Sequence, residues 1–189
     1  MKKRVFAAAL AAAALCSVTV MPMVAQTAMK AVKAPEDKSK RSSPPATATA
    51  LLKGKKITVD YSSPSVNGRK IFGDLEAYGK VWRTGANEAT SLVTAGDLMI
   101  GDARVPAGSY TLYSIPNEKE WTLIINKQTG QWGTKYDESQ DLARVPLKVS
   151  SLSSPQEKMT ISFEKVHGGD AEMHIRWENT DASVAVMAH

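Results

Sequence analysis

Between Tyr78 and Thr90 the chain reads YGKVWRTGANEAT, which sets Trp82, Arg83, Asn87 and Glu88 around a flexible Gly85. Arginine offers a planar fork of donors suited to a carboxylate or sulfate, and asparagine both donates and accepts. Glutamate accepts or shuttles a proton, and tryptophan gives a flat apolar platform. Together these are the parts of a site for a glycan or another small polar or anionic ligand. A second group, Asn126, Gln131 and Trp132, lies near Lys127, Gln128, Gly133 and Tyr136 and repeats the pairing of amide and indole beside a glycine turn. The same residues also have a structural use: Trp82 filling core, Arg83 pairing with Glu88 or Asp141, and Asn87 capping a turn that Gly85 permits.

Hydrolytic chemistry asks for more than these groups. A serine triad needs a histidine to take the proton and a third group to orient it. The histidines are His167 beside the Gly168-Gly169 turn, His174 on the polar face of a strand, and the terminal His189. None sits in a nucleophile elbow or recurs at metal-ligand spacing, so neither a metal site nor a cofactor is expected. A carboxylate pair remains a route to glycosidic cleavage, with Glu88 as acid/base and Asp74, Glu76 or Asp141 as its second member. Trp177 alternates with Met173 and Ile175, which assigns it to the core.

The elements that must position these residues are strands. Ile57, Val59 and Tyr61 alternate with polar residues, and similar period-two patterns run through Leu92–Thr94, Leu98–Val105 about Gly101-Asp102, Tyr110–Ile115 and Trp121–Ile125. They continue through Val145–Val149, Met159–Phe163, Met173–Trp177 and Val184–Val186. Period two is the mark of a half-buried strand. The only helical candidate is a single turn within Asp137–Ala143. About nine short strands at these spacings predict an all-β fold, an antiparallel two-sheet sandwich, with a closed or partly open β-barrel as the alternative.

The first 25 residues predict an exported protein, periplasmic or extracellular. Lys2, Lys3 and Arg4 precede an apolar run from Val5 to Leu15 and small residues near Ala25, the layout of a cleaved signal peptide. That run is shorter than the ~20 residues of a spanning helix, so no stable membrane insertion is expected once it is removed. Residues 26–50, rich in Ala, Pro, Ser, Thr and Lys, predict a disordered linker whose end lies as an edge segment, and 51–189 a single domain. The net charge of +5 arises from the leader and linker; residues 57–189 carry 13 basic and 17 acidic groups. A mildly acidic domain without a basic stripe is not expected to bind nucleic acid.

Four blocks carry a family resemblance: SSPSVNGRKIFGDLEAYGKVWRTGANEAT; VPAGSYTLYSIP; WTLIINKQTGQWG with YDESQDLARVPLKV; and RWENTDASVAV. In this order, over about residues 43–189, they resemble the exported bacterial family called domain of unknown function 2911. Glu76-Ala77 stand where that family often has an apolar residue and a proline before the tyrosine. The resemblance implies fold class and export, and no chemistry. The expected function is a non-enzymatic binding module for a glycan or small polar ligand. A glycan-active hydrolase using Glu88 and a structural or docking domain of the cell envelope are the alternatives.

Overall fold

The computed structural model describes residues 36–189; the leader and the first part of the linker lie outside the described residues. The strands are β1 (Pro45–Leu52), β2 (Lys55–Ser62), β3 (Thr90–Thr94), β4 (Leu98–Ile100), β5 (Ala103–Val105), β6 (Gly108–Ile115), β7 (Glu120–Asn126), β8 (Asp141–His167) and β9 (Asp170–Ala188). All pair antiparallel in one sheet of order β1-β2-β3-β6-β7-β8-β9-β4-β5. The all-β class agrees with the alternation in the sequence; the individual strands agree in part, since β8 and β9 each join two of the alternating segments. Two separate sheets are not found: one continuous, unclosed sheet curls around one core.

The difference arises in β8 and β9, 27 and 19 residues long. Val145–Val149 and Met159–Phe163 read as separate strands because the run between them is polar and contains Pro155, a composition typical of turns. There the chain bends without reversing. The ladder to β9 breaks between Ser151 and Gln156 and again before Thr160. Such irregularities bend a strand and increase its twist, so the outer half of the β8–β9 hairpin folds back toward β1 and β2. Met159 N–H donates to Pro64 O at 2.9 Å, Val66 N–H to Glu157 O at 2.8 Å, and Ile161 N–H to the Tyr61 hydroxyl at 3.0 Å.

The linker expected to reach residue 50 ends earlier, since Pro45–Leu52 is an edge strand paired with β2. Its Ala48 and Ala50 are buried and alternate with threonines. The edge segment expected at the end of the linker is present, and small side chains in a linker-like composition hid only its extent to Leu52. The single turn expected near Asp137 is the 3-10 turn Glu138–Gln140, capped by Asp137 accepting from Ser139 N–H. Among the described residues no helix is long and apolar enough to cross a membrane.

Side chains from every strand meet on the concave face, and one end of the core is aromatic. Phe72 meets Trp121 edge-on at 4.6 Å between ring centroids, and Trp82 stacks on Trp177 at 5.9 Å. Trp121 is buried, and its indole N–H donates to Asn117 O at 3.0 Å. Truncating a buried aromatic of this kind costs about 3–5 kcal/mol. Trp121→Ala is accordingly expected to lower the urea midpoint of unfolding steeply with little change in its slope.

Candidate functional site

The 78–90 stretch is shaped by two backbone ladders. Trp82 exchanges backbone hydrogen bonds with Ser114 of β6, at 2.7 and 2.8 Å, which turns its ring into the aromatic core and its indole N–H onto Gly85 O at 3.1 Å. Gly133 N–H donates to Asn87 O and Ala89 N–H to Gln131 O, so the 131–133 loop is zipped along the same stretch. Between these ladders Thr84, Gly85 and Asn87 all have positive φ, at 53°, 152° and 59°. Left-handed backbone at a β-branched threonine is costly and persists only where the surroundings over-determine it. Here the buried Thr84 hydroxyl lies 2.8 Å from the Ser114 hydroxyl, while Thr84 O accepts from the Thr90 hydroxyl at 2.7 Å. A side chain at Gly85 would start 2.9 Å from Ser62 O.

Of the residues singled out from the sequence, the structure divides rather than gathers. Trp82 is 3% exposed and occupied by the core. Asn87 donates from its amide to Ser43 O at 3.2 Å, pinning the chain that leads into β1. Glu88 meets Lys38 Nζ at 2.8 Å and Arg41 Nη1 at 2.7 Å. These hydrogen bonds, that from Lys38 foremost, hold its carboxyl down to about 2. Asn126 is fully buried and ties Asp137 O, the Asp141 carboxylate and Gln128 N–H together. Asp141, the distant partner considered for Arg83, instead accepts from the Tyr136 hydroxyl and pairs with Arg144. Gln131 donates to the Thr111 and Tyr113 hydroxyls, and Trp132 is largely exposed.

Arg83 stands apart from these. Its guanidinium donates to Asn87 O at 3.2 Å, and among the described residues it forms no ion pair with a carboxylate. It lines two adjacent clefts, of about 290 and 270 Å³, and Glu76 lines both with it. The larger cleft also takes Ser43, Ser65, Asn67 and Arg69. Arg69 follows the Asn67-Gly68 turn and donates to Val66 O at 2.9 Å and Ser65 O at 2.6 Å, again with no carboxylate partner among the described residues. Glu76 is half-buried. Its backbone is held on both sides, by Gly73 N–H donating to Glu76 O and Glu76 N–H donating to Ile71 O, each at 2.9 Å. Burial pushes its carboxyl up to about 7 against the opposing pull of Arg83 and Arg69.

Two cations with no direct ion pair among the described residues and one perturbed acid in one cleft form an arrangement that can take an anion. The reading from residues alone placed Glu76 only as a second carboxylate and did not find Arg69; its one signal is that it follows the Asn67-Gly68 turn. Among the described residues no group of three His, Cys, Asp or Glu side chains is arranged to hold a metal ion.

A family model described as protein of unknown function (DUF2911) matches residues 43–186. No curated protein and no solved structure matches the chain.

Two measurements probe this geometry. A methyl at Gly133 would lie 2.8 Å from Asn87 O and 2.9 Å from Arg83 Cβ, so Gly133→Ala is expected to cost about 1–3 kcal/mol in urea unfolding, the usual penalty of overpacking. Glu88 is ionised in the fold well below the ordinary carboxylate value of 4.5. Because that value is lowered by folding, its contribution to docking the Lys38–Arg41 segment is present above about pH 4.5 and lost as pH falls toward about 2. The protection of the residue 38–43 amides relative to their intrinsic exchange rates is expected to fall as pH drops through this window in the wild type, and Glu88→Gln to remove the transition.

Proposed function

The chain belongs to the DUF2911 family, whose description assigns no activity, and from the cleft of Arg69, Arg83 and Glu76 we propose that it is an exported binding module for a small anionic ligand. The observation that carries this reading is the pair of guanidiniums lining one cleft without a carboxylate partner among the described residues. An arginine fork left without an anion keeps its donors directed at neutral carbonyls or solvent, whereas a carboxylate or phosphate meets it in two parallel charge-assisted hydrogen bonds. Export is supported by the leader-like residues Lys2 to Ala25. A sugar acid fits the same donors through its carboxylate.

The hydrolase reading built on Glu88 has less support. A general acid needs a proton at working pH, and Glu88 is held ionised by Lys38 and Arg41. Glycosidases need a second carboxylate within ~10 Å across the scissile bond. Asp141 is engaged by Asn126, Tyr136 and Arg144, and Glu76 is the one carboxylate among the residues lining the Arg83 cleft.

Titration calorimetry with glucuronate, and with neutral glucose as control, tests the proposal. Binding of glucuronate and not glucose is expected, with a loss of at least tenfold in Arg83→Ala at unchanged tryptophan fluorescence. Arg69→Ala, at an exposed position whose removal does not open the core, is expected to weaken binding in the same direction. Equal affinity for the anion in the wild type and in both variants would sink the reading.

A further inference from the structure

Arg69 and Arg83 present donors only, and a cleft of donors accepts any small anion that fits. Glu76 breaks that uniformity. Its carboxyl lines the same wall, and among the described residues it accepts no hydrogen bond and forms no ion pair, although Arg69 and Arg83 are the charged groups that face it. Its backbone is held in the loop, with Glu76 bonded through both its N–H and its carbonyl to Ile71 and Gly73. An unpaired acceptor fixed inside a cationic cleft penalises a ligand that brings only lone pairs and rewards one that brings a hydrogen.

Resting on the anion-cleft reading above, we infer that Glu76 is a specificity-determining residue that selects an oxyanion carrying its own proton, such as hydrogen phosphate, over fully deprotonated ones such as sulfate. In the favoured complex the P–O–H group donates to a Glu76 oxygen while the remaining oxygens accept from Arg83 and Arg69. Sulfate has no such hydrogen, so it binds only when a proton is taken from solvent onto Glu76.

Inorganic phosphate and sulfate make a controlled pair, because at about pH 8 both carry close to two negative charges on a tetrahedral ion of similar size and differ by one proton. With Glu76 titrating at about 7, sulfate at about pH 8 must supply that proton at a disadvantage of roughly tenfold. Calorimetric titration of the wild type is therefore expected to give phosphate about tenfold tighter than sulfate at about pH 8, with the gap closing toward about pH 6. Glu76→Gln keeps the shape and supplies a neutral amide; its phosphate-to-sulfate ratio is expected to fall near one and to lose its pH dependence. Equal binding of the two ions to the wild type, binding of neither, or an unchanged ratio in Glu76→Gln would overturn the role of Glu76 while leaving the glucuronate test of the cleft standing. Phosphate affinity that survives both Arg83→Ala and Arg69→Ala would overturn the cleft itself.

Discussion

The inward turn of Trp82 is the constraint on which the site depends. Once its backbone is paired with Ser114 and its ring stacked on Trp177, strand alternation sends the next side chain, Arg83, outward. Left-handed Thr84 and Gly85 then break the strand, and Ala86 N–H closes onto Ser62 O at 3.1 Å. The aromatic cluster is thus the floor of the site as well as a part of the core. Its burial holds in place a strained turn that would not persist in isolation.

Glu76 and Glu88 show how environment, rather than residue type, assigns roles. Glu88 lies against Lys38 and Arg41, and the segment carrying those cations is fastened across the site by Asn87. Its charge is structural, holding the entry to β1 against the domain. Glu76 has no such partner among the described residues and is raised by burial. Two carboxylates pushed apart in this way, one fixed as an anion and one poised near neutrality, perform different chemistry in a single fold.

Part of this site was legible in the residues. Arg83 was singled out by its place in a dense polar stretch, and its position in the cleft agrees with an outward side chain. Trp82 and Asn126 were grouped with it because indoles and amides suit ligands, but the same groups satisfy a core and a buried turn, and periodicity within a loop does not separate the two uses. Glu76 and Arg69 come from a different loop, brought beside Arg83 by the docking of Ser65 and Val66 onto Lys158 and Glu157. That contact spans about ninety residues of chain, and no local pattern encodes it.

By itself the sequence determined the all-β class and, for most strand segments, which face is apolar, because period-two alternation is a local consequence of burying one side of a strand. It did not determine whether the strands form two sheets or one. That depended on whether the polar run at Ser150–Gln156 reverses the chain or only bends it, which pairing with β9 and packing against β1 decide. Tertiary structure alone likewise decided which charged groups are satisfied. Lys38 and Arg41 reach Glu88 and leave Arg83 without a carboxylate, since ion pairing depends on distances that exist only after the sheet has curled.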